Sequence, residues 1–124
     1  MSDATSANST FIRLQTLAAE KHLPAVETST SYGNPALKVH GKAFVRLKNA
    51  ETLVLHCPHE QKTLLMEISP EVYYETAHYV GHPAVLIRLA AIEDVELALR
   101  LEDAWHFKAP KRLSDEYRKA VTSA

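Results

Sequence analysis

The chain has 124 residues, 46% of them apolar and 23% charged, which is one domain's worth of ordinary globular composition. A single cysteine, Cys57, excludes an intrachain disulfide and a cysteine-rich zinc module, and it points to a reducing compartment. A formal net charge of −1 excludes a global basic field aimed at nucleic acid or anionic membrane.

Residues 1–9 are rich in Ser, Thr, Ala and Asn and lack a basic stretch followed by an apolar one. They read as a frayed tail and not as a signal peptide. A helix is expected over residues 10–22. Phe11, Leu14, Leu17 and Ala18 recur at helical spacing, Ser9 or Thr10 can cap the start, and Pro24 stops the run. Residues 29–35 read as turn chemistry, with Gly33 supplying positive φ and Asn34-Pro35 an extended exit.

Period two then takes over. Leu37, Val39, Val45 and Leu47 alternate with Lys38, His40, Arg46 and Lys48 around Gly41-Lys42-Ala43. This is a hairpin signal. A two-residue loop would put Arg46 on the face of Leu37 and Val39. A three-residue loop gathers all four aliphatics on one face, and that is the register expected.

A strand follows at residues 52–57, with Leu53, Leu55 and Cys57 inward. A short helix covers 58–68, with Pro58 in its first turn, Leu64, Leu65 and Ile68 on its apolar side, and Pro70 beyond its end. Strands are expected at 72–76 and 84–90, the latter with Val85, Ile87 and Leu89 inward. The run 84–92 is the most apolar. Arg88 interrupts it, and it is far shorter than the roughly twenty residues a bilayer needs. A last helix over 93–107 carries Leu97, Leu101, Ala104 and Trp105 as its stripe, and Ala109-Pro110 ends it. The pattern predicts one α+β domain over residues 10–113: an antiparallel sheet with helices on one face, followed by an extension over 114–124. A cytoplasmic protein with no membrane contact is the expectation.

Three stretches resemble one family. They are Ser29-Thr30-Ser31-Tyr32-Gly33-Asn34-Pro35-Ala36-Leu37-Lys38-Val39, then His78-Tyr79-Val80-Gly81-His82-Pro83, then Asp103-Ala104-Trp105 with Ala109-Pro110-Lys111-Arg112. Their order and spacing resemble the MmcQ/YjbR-like family of small bacterial proteins over about residues 11–113. The resemblance implies a frataxin-like fold, with N- and C-terminal helices against a twisted antiparallel sheet. It also implies the family's usual assignment, DNA binding with no established reaction. Two positions depart from the family pattern: Leu37 stands where an aromatic residue is usual, and Ala84 where tryptophan is common. Frataxin-type iron handling is not carried over, because Glu20 is the only carboxylate within residues 11–22.

Several constellations bear on function. Between Tyr32 and Ala50 stand Lys38, Lys42, Arg46 and Lys48, with no Asp or Glu. In the expected register Lys38, His40, Phe44, Arg46 and Lys48 share an outward face. Cations there can neutralise phosphates, and Phe44 between them can stack on a base. The plainer reading is a solvated sheet face. A second basic cluster comprises Lys108, Lys111 and Arg112, which can join the hairpin or simply complement a helix C-terminus. The leading expectation is therefore a non-enzymatic protein that binds DNA weakly, with steep salt dependence. Its contacts are Lys38, Lys42, Phe44, Arg46, Lys48, Lys111 and Arg112. The alternative is a small-molecule or protein-interaction module. Its site forms where Ser29, Ser31, Tyr32 and Asn34 approach His78 and His82.

Metal and catalytic readings are thin. His78 and His82 are four apart, but Gly81 and Pro83 argue for a loop there. His56, Cys57 and His59 are suitable zinc ligand types, yet neighbouring strand residues point to opposite faces. Cys57 beside a histidine suits nucleophilic chemistry only if the thiol is exposed. No cofactor, metal or catalytic residue is expected.

Overall fold

A computed structural model describes residues 3–123; the side chains of residues 3–7 and 123 lie outside the description. Helix α1 (Asp3–Glu20) precedes four strands, β1 (Val26–Ser31), β2 (Asn34–Val39), β3 (Lys42–Asn49) and β4 (Thr52–His56). Then come α2 (His59–Ile68), β5 (Tyr73–Tyr74), a 3₁₀ turn (Ala77–Tyr79) and β6 (Ala84–Arg88). The described chain closes with α3 (Asp94–Lys108) and α4 (Lys111–Ser123). All six strands form one antiparallel sheet in the order β1-β2-β3-β4-β6-β5. The α+β architecture expected from the sequence is present.

The sheet buries one face against helices. Across it run rows of paired residues, Leu37–Val45–Leu55–Val85 and Leu47–Leu53–Ile87–Tyr73. These rows pack into one core with Phe11, Leu14 and Leu17 of α1 and Leu97, Leu101 and Trp105 of α3. Apolar spacing on each helix places these side chains on the sheet-facing stripe. The Trp105 indole N–H donates to the Pro24 carbonyl at 2.9 Å, so its one polar atom is satisfied within the core. Where α1 ends, His22 takes a left-handed conformation (φ 56°). The Leu23 N–H reaches the Ala18 carbonyl and the His22 N–H reaches that of Ala19, closing the helix with a two-bond cap.

The outer face is covered only in part. Val54, Ala84 and Leu86 form a small second cluster there with Tyr79 and Tyr74. One outward row is Ala36–Arg46–Val54–Leu86–Tyr74, so Arg46 lies mid-sheet, at the edge of this cluster.

Several local expectations are corrected. The β2–β3 loop has two residues, not three: Val39 pairs with Lys42, and His40 and Gly41 both hold positive φ. The aliphatics still share a face because a bulge inserts Phe44, moving the pairing from Lys38–Ala43 to Leu37–Val45. In consequence Phe44 is fully buried within the helix-side core rather than outward. It cannot stack on a base. On α2 the buried positions are Lys62 and Leu65, while Leu64 and Ile68 are exposed. Helix α1 begins at Asp3 rather than near Thr10, so the described part of 1–9 is helix and not tail; Met1 and Ser2 lie outside the described residues. The extension after 113 belongs to α4, which Tyr117 ties down by donating from its hydroxyl to the Lys21 carbonyl at 2.7 Å. Among the described residues no helix is long and apolar enough to cross a membrane.

Candidate functional site

An open cleft of about 940 Å³ lies on the outer face of the sheet. Its floor includes Ala43, Arg46 and Lys48 of β3 and Val54 and His56 of β4. Ser31 and Tyr32, at the β1–β2 turn, contribute to one wall, and His78, Tyr79 and His82 to another. Lys42 and Lys108 also line it. Among the described residues four cations and three histidines thus border the cleft, and no carboxylate does.

Each wall has a local cause. Tyr32 and Gly33 both hold positive φ (52° and 79°), which makes the two-residue turn that a twisted hairpin favours. Tyr32 stands at the tip with 92% of its surface exposed, and the Arg46 guanidinium lies 5.3 Å from its ring centroid. A second Arg46 contact fixes the opposite wall: Nη2 donates to the Tyr79 hydroxyl at 2.9 Å. A guanidinium has five N–H donors, so Arg46 keeps several for a ligand. Lys48 is left unpaired by a bulge opposite β4, and its ammonium sits 5.8 Å from the Tyr79 ring centroid.

The His78–His82 loop is held from beneath. Lys62 of α2 is buried, and its ammonium donates to the carbonyls of Tyr79 (2.7 Å) and His82 (2.9 Å) while pairing with Glu75 at 2.6 Å. Three donors thus meet three acceptors, and the loop closes as one unit. On its outer side the His78 and His82 rings stack at 5.6 Å.

His56 contributes a neutral ring. Burial pushes its pKa from 6.5 down to about 4, with Lys108 and Arg46 adding to the effect. In an unfolded chain the same residue takes up a proton near pH 6.5, whereas the folded protein resists it. Stability is therefore expected to fall as pH drops from 6.5 towards 4, by no more than about 3 kcal/mol from this residue, and to be unaffected by it above 6.5. Urea unfolding across that range should show the decline, and His56→Gln should flatten it. An unchanged slope in the variant would remove His56 as its source.

The sequence candidates divide between inside and outside the cleft. Lys42, Arg46 and Lys48 line it, and so do Ser31, Tyr32, His78 and His82. The hairpin cations and the two distinctive loops therefore belong to one concavity. Ser29 and Asn34 do not line it. Lys38 faces Glu27 across the β1–β2 register and also stands outside. Lys111 and Arg112 lie apart on α4, paired with Asp115 (2.6 Å) and Glu116 (3.3 Å). The basic residue from this region that does reach the cleft is Lys108. Lys42, Arg46, Lys48 and Lys108 have no carboxylate partner among the described residues.

Sequence reasoning missed the role of Lys62. Its spacing of three from Leu65 places it on the buried stripe of α2, and that was the available signal. Cys57 points to the helix side, opposite His56, and is fully buried. Burial pushes its thiol up to about 11, so it is a neutral small hydrophobe at pH 7. Among the described residues no group of three or more His, Cys, Asp or Glu can hold a metal ion.

An antiparallel sheet with helices on one face and a cation-lined cleft on the other defines a small α+β domain with a single-signed recess. The YjbR family model matches residues 21–107, which include most of this cleft, and the chain belongs to that family. It is 46% identical over 52 residues to uncharacterized protein Mb2600 of Mycobacterium bovis, and equally to uncharacterized proteins MT2646 and Rv2570 of Mycobacterium tuberculosis. These matches cover 42% of this chain and 40% of each relative, so the chain spans well under half the length of the curated relatives it matches. No solved structure matches the chain.

Proposed function

We propose that this YjbR-family domain is a non-enzymatic binding protein that takes DNA at the outer-face cleft. Arg46, Lys48, Lys42 and Lys108 are its phosphate contacts. The observation that carries the reading is the sign of the cleft: among the described residues four cations border it, no carboxylate does, and none of the four is neutralised by an ion pair. The molecule as a whole carries a net charge of only −1, so attraction of phosphates has to be local.

Salt dependence tests the proposal. Three or four phosphate contacts imply that affinity for a labelled oligonucleotide falls about 20- to 150-fold between roughly 50 and 200 mM monovalent salt. Fluorescence anisotropy reads this directly, and binding that ignores salt would falsify it. A second reading has its own support. The cleft volume, about 940 Å³, falls in the range of small-molecule sites, and both distinctive loops meet there. A small anionic ligand at the same cations would show by calorimetry as saturable one-to-one binding in the absence of DNA affinity.

A further inference from the structure

We infer that the cleft takes an unpaired nucleotide, its base against the Tyr32 ring and its neighbouring phosphates on Arg46 and Lys48. This rests on the phosphate-binding reading above and names the form of nucleic acid it accepts.

Tyr32 is the anomaly that points there. It holds φ 52° and is 92% exposed. That backbone conformation favours Gly, Asn or Asp, and a bulky residue adopts it at a cost. Tyr32 contributes nothing to either apolar cluster, so the fold gains no burial from the ring. An Asn-Gly pair would make the same turn with less strain. Its ring faces the Arg46 guanidinium, a cation of the cleft, at 5.3 Å.

The opposite wall presents a second flat surface. The His78 and His82 rings lie nearly parallel, 22° apart, and both residues are exposed. Lys62 fixes the backbone beneath them, so the wall is preorganised. A site with exposed rings beside free cations suits a ligand with free π faces. In a duplex each base already has both faces covered by its neighbours, and it offers a protein only edges and phosphates. An unpaired base offers its face, and stacking on an aromatic side chain is tolerant of sequence. The recess also favours the smaller object. Its volume, about 940 Å³, is that of a small-molecule site, a size suited to a flipped-out or single-stranded nucleotide.

The same chemistry exists in a single strand and in a free mononucleotide. Anisotropy at about 50 mM salt separates them, a regime in which phosphate contacts are weakly screened. Three probes serve: a labelled mixed-sequence single strand of about ten nucleotides, the same sequence as duplex, and unlabelled thymidine monophosphate as competitor. The single strand is expected to bind more tightly than the duplex. Tyr32→Ala should weaken it about 5- to 150-fold and Tyr32→Trp should restore it. An unshifted thermal melt would show that Tyr32→Ala is folded. Displacement by the monophosphate at concentrations comparable to the oligonucleotide would assign the free nucleotide as ligand; a requirement for large excess would assign the strand. Equal affinity for duplex and single strand overturns the inference. So does an unaffected Tyr32→Ala alongside a weakened Arg46→Glu, an outcome that leaves the cleft reading standing. If no probe binds in an Arg46-dependent way, the cleft reading itself fails.

Discussion

Replacing Lys62 with methionine is expected to lower the unfolding free energy by about 3–4 kcal/mol, and the melting temperature by about 10–15 °C. Methionine matches the length and fills the buried path of the lysine stem, so packing is largely kept and the loss is electrostatic. Removing the ammonium strands the Tyr79 and His82 carbonyls and leaves Glu75 without its 2.6 Å partner. Glu75 is only partly buried, so the carboxylate itself recovers some hydration and the cost stays at the lower end for a broken buried pair. Glu75→Gln, which keeps both carbonyl bonds but leaves the buried ammonium without its countercharge, should cost less, about 1–3 kcal/mol. Against a total stability of about 5–15 kcal/mol the Lys62 effect is large enough to read in a simple melt. On the DNA-binding proposal the variant should also bind more weakly, although Lys62 is outside the cleft, because the wall that carries His78 and His82 is released. A melt displaced by only a degree or two would show that the loop is held by something other than this ammonium.

The second large effect concerns charge. Arg46→Glu combined with Lys48→Glu is expected to weaken the proposed DNA binding by about 100-fold or more at low salt, and to reduce the salt slope by about two. Two attractions become repulsions at the middle of the floor, and the Arg46–Tyr79 bond is lost as well. The informative control is Lys111→Ala with Arg112→Ala. Those side chains are already engaged by Asp115 and Glu116 one helical turn away, and a change of no more than about twofold is expected. Equal losses in the two double variants would mean that binding follows total charge and not the cleft.

The fold was legible where burial imposes a period. Leu37, Val39, Val45 and Leu47 had to share a face, and they do, even though the turn between them is shorter than expected. A two-residue turn and a three-residue loop leave the same alternating pattern once a bulge compensates. The sequence therefore could not choose between them, and the side of Phe44 depended on that choice. Strand β1 escaped notice because Val26 is its only apolar residue; an edge strand otherwise of Glu, Thr and Ser shows no alternation of apolar character. Helix α4 was hidden for the same reason, since Leu113, Ser114 and Tyr117 are its main inward positions on an otherwise polar segment.

The site was legible in parts and not as a whole. Arg46, Lys48, Tyr32 and the His78–His82 loop each stood out by residue type and spacing. What joins them is the sheet order, which sets β3 beside β4 and β4 beside β6, and the Lys62 anchor, which folds the loop back over Val54 and Leu86. Neither is a local property of sequence. Lys108 was grouped with Lys111 and Arg112 by proximity in the chain. The helix break at Ala109-Pro110 sends Lys108 to the cleft and the other two onto a separate helix.

On the proposed reading the cation-lined recess, and no other part of the surface, meets the ligand. Amide chemical shifts of the labelled full chain, followed as a DNA oligonucleotide is added at low salt, test it most directly. Progressive shifts are expected at Ser31, Tyr32, Arg46, Lys48, His78 and His82, with α4 unmoved. Shifts centred on Lys111 and Arg112, or spread evenly over the surface, would contradict it.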